Sequence, residues 1–194
     1  MSPVLSEKVT DDALTTWALA ASQGDADAVD RFVRAVQTDV RRYVGRLADD
    51  AQTAEDLAQE TLLRALTSLH RYEGRAPARL WILSIARRAV IDSIRYKTSR
   101  PRVSDLIDWQ DVVERSQPTD LPGFEEGVVL RSLIAALPAD RREAFVLTQM
   151  LDLSYDEAAR TAHCPIGTVR SRVSRARAAL ALSLMDSGTV LAAS

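Results

Sequence analysis

The sequence predicts an all-α protein of two small helical domains joined by a linker, the second domain carrying a C-terminal helix-turn-helix. Three observations predict this. Apolar residues recur at three- and four-residue spacing over long stretches, the pattern of one face of a helix. The composition favours helix over sheet: aromatics are only 5%, there are seven glycines and seven prolines in 194 residues, and Ala, Leu and Arg are abundant. The helical rhythm fails at both ends of 98–126, which holds Pro101, Pro118, Pro122 and Gly123, and resumes beyond it. Domains are therefore expected at 11–97 and 127–184, with 98–126 as the linker.

A first helix is expected from Asp11, with Ala13, Leu14, Trp17, Ala18 and Ala21 as its apolar face and Gly24 ending it. Asp25 or Asp27 caps the next, 28–47, in which Val29, Phe32, Val33, Val36, Val40, Tyr43, Val44 and Leu47 recur at core spacing. Thr53 and Asp56 resemble a capping box at the head of a third helix. Ala58, Leu62, Ala65 and Leu69 share one of its faces. Asp56, Gln59, Glu60 and Leu63 share the other, at i, i+3, i+4 and i+7. Gly74 and Pro77 break the pattern in 71–78. A helix over 80–96 then carries Ile82, Ile85, Ala86 and Ala89 on one face, with Arg87, Arg88, Ile91 and Arg95 roughly opposite. That mixed second face is either partly covered by protein or meets a polyanion. Within the linker, 104–115 has the spacing of a short acidic amphipathic helix.

The second domain begins with helices expected at 127–137 and 141–151, the latter placing Ala144, Phe145, Leu147 and Leu151 in a core. The most informative stretch follows, SYDEAARTAHCPIGTVRSRVSRARAAL. Ser154 and Glu157 form the S-x-x-E capping box, and Ala158, Ala159 and Ala162 let a second helix approach closely. Pro165 suits the first turn of that second helix. Along it Val169, Val173, Ala176 and Leu180 point inward. Ser171, Ser174 and Arg175 point outward, flanked by Arg170, Arg172 and Arg177. A helix with a small polar centre and arginine flanks fits a DNA major groove, the centre toward base edges and the flanks toward phosphates. The same charges also fit a solvated basic helix. The capped helix, short break and second helix together favour the helix-turn-helix.

These residues resemble a known family. The run Pro165-Ile166-Gly167-Thr168-Val169-Arg170-Ser171-Arg172, followed by Arg175-Ala176-Arg177, is similar to the promoter-reading domain of extracytoplasmic-function (ECF) sigma factors of the sigma-70 family. A second segment of the same family occurs about a hundred residues earlier, in the expected order. The resemblance implies a non-enzymatic subunit that binds core RNA polymerase, recognises promoter DNA and starts transcription. It implies that Asp56, Gln59, Glu60 and Leu63 grip the clamp coiled coil of the polymerase β′ subunit, with the C-terminal domain on the β flap. The wording Arg79-Leu80-Trp81-Ile82-Leu83-Ser84-Ile85-Ala86-Arg87 is similar to the family's strand-separating helix, which places Arg87, Arg88 and Arg95 on the melted minus-ten strand. The loop before it is where the family captures a flipped base. Tyr72 and Arg75 have the chemistry for that, and a plain connecting loop is an equal alternative. Arg170, Ser171, Arg172, Ser174, Arg175 and Arg177 would read the minus-thirty-five element. Ser174 is smaller than the side chain of some relatives, which bears on the recognised sequence. The linker either threads toward the polymerase active site or serves as a tether. An anti-sigma partner is also implied.

Other classes find little support. The net charge of −2 is not that of a chain that coats nucleic acid, so another protein is expected to supply much of the grip on DNA. One cysteine excludes an internal disulfide, and adjacent His163 and Cys164 with distant His70 do not make a metal-ligand set. No catalytic triad, phosphate loop or carboxylate pair is set up for chemistry, and no cofactor is expected. No apolar run approaches a membrane span, and MSPVLSEKVTDD lacks a signal-peptide core, so a cytoplasmic protein is expected. The rival reading is a stand-alone helix-turn-helix regulator that binds duplex DNA without polymerase.

Overall fold

The computed structural model describes residues 9–99 and 124–191. The expected linker helix over 104–115 lies outside the described residues. Among those residues the secondary structure is helical, without strands. The first unit holds α1 (Asp11–Ser22), α2 (Ala26–Leu47), α3 (Ala51–Ser68) with a 3-10 turn at Leu69–Arg71, and α4 (Ala78–Ser99). The second holds α5 (Phe124–Ala135), α6 (Ala139–Phe145) running into a π-turn at Val146–Met150, α7 (Tyr155–Ala162) and α8 (Ile166–Leu191).

The helix starts follow from side chains that satisfy free amides. The Asp25 carboxylate accepts from Ala28 N at 3.0 Å and starts α2. The cap of α3 is not the expected Thr53–Asp56 pair. Asp50 stands three residues earlier and accepts from both Thr53 N (2.8 Å) and Thr53 Oγ1 (2.6 Å), so Thr53 already lies inside the helix. These bonds hold the Asp50 carboxyl below the usual carboxylate range. The start of α4 is set by tertiary structure: Thr15 of α1 accepts from Ala78 N at 3.1 Å. Gly74, in the loop before it, has φ +73°, and a Cβ there would press on Leu19 at 3.3 Å.

The apolar faces pack largely as the periodicity predicts. Phe32, Val36, Val40, Tyr43 and Val44 of α2 are buried against α1, α3 and α4. In α4 the buried set is wider than expected, adding Leu80, Leu83 and Val90 to Ile82, Ile85, Ala86 and Ala89. The reason is that α4 is covered twice, by its own unit and by α7 of the second. In α6 and the π-turn, Ala144, Val146, Leu147 and Leu151 are buried while Phe145 is only half-buried. The i→i+5 bond from Leu151 N to the Val146 carbonyl (3.1 Å) advances the inward face and brings Val146 into the core.

The two units are not separate bodies hung on a tether. α2 and α4 pack against α5, α6, the π-turn and α7, and the buried apolar side chains form one continuous cluster across both. Asp50→Ala removes the cap of α3 and is expected to lower stability by about 0.5–2 kcal/mol. Because its pKa is depressed in the fold, its contribution is present above about pH 4 and is lost as pH falls. Denaturant unfolding at two pH values checks both statements.

Candidate nucleic-acid interface

The helix-turn-helix is built as the residues dictate. Ser154 N donates to Glu157 Oε2 at 2.8 Å, and Glu157 N donates to Ser154 Oγ at 3.2 Å, the reciprocal bonds of a capping box. α7 stops at His163, which takes the left-handed conformation with φ 51°. Pro165 precedes the first helical residue of α8, and its carbonyl accepts from Thr168 N (2.9 Å) and Val169 N (3.2 Å). Val169, Val173, Ala176 and Leu180 are buried, which fixes the rotation of α8.

That rotation leaves Arg170, Ser171, Ser174, Arg175 and Arg177 exposed. The Arg170 guanidinium lies 5.9 Å from the Tyr155 ring centroid, and Arg177 Nη2 donates to Gln149 Oε1 at 2.6 Å. Both arginines are thereby steered without losing their exposure. Arg172 is set apart. It is half-buried, with Nε 3.1 Å from Asp140 Oδ2 and Nη1 3.6 Å from Cys164 Sγ.

On α3, Asp56, Gln59, Glu60 and Leu63 are all exposed, and Leu63 is 60% accessible. The inner face, Leu57, Ala58, Thr61 and Ala65, is buried. Glu60 accepts from Arg64 Nε at 2.6 Å, and Arg64 also reaches Asp92 of α4 at 3.1 Å. Two hydrogen-bonded carboxylates raise the pKa of Arg64. Asp56 accepts only a neutral contact here, from Gln52 Nε2 at 3.0 Å.

The residues expected at the melted strand are not gathered in one place. Tyr72 is buried, its ring 5.1 Å from that of Trp81, and its hydroxyl donates to the Ala76 carbonyl at 2.6 Å. Burial pushes its phenol up. A ring so enclosed is a brace for the loop and not an open stacking surface. Trp81 also packs on Phe32, with centroids 6.3 Å apart, and so belongs to the core. Arg75 is exposed and paired with Glu73 at 2.5 Å. Arg88 and Arg95 are exposed. Arg87 turns inward, its Nε 2.7 Å from Glu143 Oε1.

Glu143 sits where the two units meet. Its Oε1 accepts from Arg87 Nε and from Tyr43 OH, the latter at 2.8 Å, so α2, α4 and α6 share one carboxylate oxygen. Burial and then the Glu143 charge push the Tyr43 phenol well above its ordinary value. Alongside, Arg79 is only 7% exposed. Its Nε donates to Asp39 Oδ2 (2.7 Å) and its Nη2 to the Leu151 carbonyl (2.8 Å). Asp39, Tyr43, Arg79, Arg87 and Glu143 thus form a polar seam that sequence reasoning missed. Tyr43 read only as a core ring, and nothing in the local pattern marks which charges face another domain.

Comparison with known proteins agrees with the helical fold. The family model for Sigma-70 region 2 matches residues 32–100, and that for Sigma-70 region 4 matches residues 128–180. The chain is 45% identical over 170 residues to the ECF RNA polymerase sigma factor SigC of Mycobacterium tuberculosis, covering 88% of this chain and 90% of the relative. The chain belongs to the ECF sigma factors of the sigma-70 family. The ECF RNA polymerase sigma-E factor of Escherichia coli is a more distant relative, 32% identical over 91% of this chain and 95% of its own. Among solved structures, CnrH in complex with the cytosolic domain of CnrY shares the fold, with TM-score 0.68, 23% identity and coverage of 91% and 99% of the two chains. The sigma factor RpoE of Bartonella quintana, in complex with the anti-sigma factor NepR, aligns with TM-score 0.62 and 26% identity over 80% of this chain and 96% of its own. As an ECF sigma factor the protein is a transcription initiation factor, not an enzyme, that binds core RNA polymerase and directs it to promoters. Two sigma regions matched in order disfavour the stand-alone regulator. Among the described residues no cluster of His, Cys, Asp or Glu is placed to hold a metal, and no helix is long and apolar enough to cross a membrane.

Tyr43→Phe in this sigma factor takes one donor from Glu143 and is expected to cost about 1–3 kcal/mol in thermal or denaturant unfolding. The raised phenol pKa also sets a sign at high pH. The unfolded chain gives up this proton near pH 10 while the fold retains it, so stability present below that pH is lost as it rises. Tyr43→Phe removes this share of the alkaline loss.

Proposed function

We propose that this sigma factor divides its work between residues 11–97, which dock on polymerase and open the minus-ten element, and residues 127–184, which read the minus-thirty-five element, with 98–126 joining them. The observation that carries this is the pair of exposed faces. The acidic face of α3, Asp56, Gln59, Glu60 and Leu63, is open to a basic partner, and the outer face of α8 is open to DNA. Exposed Leu63 beside Asp56 and Glu60 suits an anchor at the centre of a polar interface with the β′ clamp coiled coil. The second domain rests on the β flap.

On α8, Ser171, Ser174 and Arg175 face base edges, and Arg170 and Arg177 lie at the flanks with phosphates in reach. Arg170 reaches the groove from the Tyr155 ring and Arg177 from Gln149, which limits the freedom each loses on binding. Arg88 and Arg95 of α4 meet the melted strand, and Arg75 extends from the preceding loop. Arg87 and Arg172 join them only when released from Glu143 and Asp140. The work takes place in the cytoplasm, where polymerase and promoter are found. Control by an anti-sigma factor is part of the proposal, supported by the relative RpoE, whose solved complex holds the anti-sigma factor NepR.

Transcription in vitro with core polymerase on a promoter library, with and without this chain, tests the reading. Transcripts from a distinct promoter set that depend on the added protein support it, and none would refute it. Arg175→Ala is expected to cost about 1–3 kcal/mol at the selected promoter and to relax choice at one base position. Asp56→Lys with Leu63→Ser is expected to weaken capture of core polymerase by roughly tenfold or more, about 1.4 kcal/mol for each factor of ten. Both residues are exposed, so circular dichroism should be unchanged.

A further inference from the structure

Tyr72 is enclosed and Trp81 belongs to the core, so neither ring near the loop before α4 is open to an unpaired base. The neighbouring face offers another. A cleft of about 600 Å³ lies between α1 and α2 and includes Arg79 at the head of α4. Half-buried Trp17 of α1 lines it beside Arg31, Arg34, Thr38 and Arg42 of α2. These four α2 residues are exposed and stand three, four and four positions apart, so they form one stripe along the helix. Four arginines and two aspartates line the cleft, in a chain whose net charge is −2. Of the aspartates, Asp39 is taken by Arg79 at 2.7 Å, and Asp152 comes from the second unit. Arg34 is paired with exposed Asp30 at 2.9 Å, a surface contact of little net strength. Arg31 and Arg42 have no ion pair or side-chain hydrogen bond among the described residues.

From this placement we infer that the cleft between α1 and α2 is a seat for single-stranded DNA, in which Arg31, Arg34 and Arg42 take phosphates and Trp17 takes an unpaired base. The inference rests on the proposed strand opening by residues 11–97 and adds a second place where the displaced strand is held. A site that holds a strand without reading its sequence needs a cationic track with an aromatic surface beside it. Arg31 and Arg42 are separated by about 16 Å of helix rise at 1.5 Å per residue. That is too long for the phosphates of one free nucleotide, whereas a strand presents a phosphate about every 3.4 Å of its axis. The Thr38 hydroxyl, between Arg34 and Arg42 on the stripe, is a further donor suited to phosphate oxygen. An acidic protein segment would meet the arginines but has no use for a flat ring beside them. The cleft also adjoins the loop before α4. Thr15 of α1 holds Ala78 N, next to Arg79, and Gly74 of the loop lies against Leu19, so the loop rests on α1 on either side of Trp17. A strand leaving that loop is therefore already beside the cleft. Apart from Asp152, the described residues that line it belong to the first unit, so the seat does not depend on how the second unit packs.

The test uses holoenzyme reconstituted from core polymerase and the full chain. The chain is unchanged, or carries Arg31→Gln with Arg42→Gln, or carries Arg41→Gln with Arg160→Gln as a matched-charge control. All four arginines are exposed, and the control pair lies outside the cleft, each on its own carboxylate. The probe is a promoter recovered by the library transcription. It is built once as intact upstream duplex and once as a fork whose displaced strand is single and carries iododeoxyuridine. Capture of core polymerase and binding of the duplex are expected to be equal for all three proteins. Fork binding by the α2 variant is expected to be roughly tenfold weaker than by the control, with a log–log salt slope shallower by about one to two, as two phosphate contacts are lost. Irradiation of the fork on the unchanged chain is expected to join the strand to Trp17. Fork binding equal to that of the control would overturn the cleft's role and leave the proposed function standing. A loss that follows weaker capture of core polymerase would mean that the stripe meets protein, which also overturns the inference. A library that yields no promoter would overturn the reading beneath it, and the inference with it.

Discussion

One carboxylate oxygen, Oε1 of Glu143, receives a phenol from α2 and a guanidinium from α4 while sitting on α6. Few arrangements constrain a helical protein as tightly. Three helices from two units must keep their distances and rotations for the bonds to form together. A buried charge is tolerable only when it is paired and hydrogen-bonded, so the closed packing and the satisfaction of Glu143 require each other. Arg79 reinforces the same seam from a different side, tying Asp39 of α2 to the backbone at Leu151.

Charge-paired seams differ in kind from apolar ones. The desolvation of the two ions offsets much of their attraction, so the net stabilisation is modest even where breaking one partner away is costly. Such a contact is well suited to exchange, because a new partner of the same charge leaves no ion unpaired. The apolar cluster running through both units contributes the non-directional part of the closure, and the seam contributes its register. The sigma factor is thereby held by apolar packing where its helices meet and by paired charges along the seam.

The outward faces follow a simpler rule. On α3 and α8 the buried residues recur every three or four positions and fix the rotation of the helix, so the remaining side chains have to point away. That is why the acidic face with Leu63 and the serine–arginine face of α8 could be named from spacing alone. Tyr72, Arg87 and Arg172 escaped the same logic. Each lies on or beside a helix with a second neighbour, Trp81 for Tyr72, Glu143 of the opposing unit for Arg87 and Asp140 of a neighbouring helix for Arg172, and periodicity is silent about a second neighbour.

Sequence by itself determined the helical class, most core positions, the capping box at Ser154 and Glu157, and the resemblance that two matched sigma regions then made firm. These are local properties, set by amide capping and by the repeat of apolar residues within one helix. Tertiary structure alone decided that Thr15 starts α4, that Tyr72 braces its loop, and that Glu143 and Asp140 take Arg87 and Arg172. Asp50 was within reach of a closer reading, since a carboxylate just ahead of a helix is a local signal. The pairings of Thr15 with Ala78, Glu143 with Arg87 and Asp140 with Arg172 were not, because residues dozens of positions apart meet only as packed surfaces do, and no spacing along the chain encodes which surface meets which.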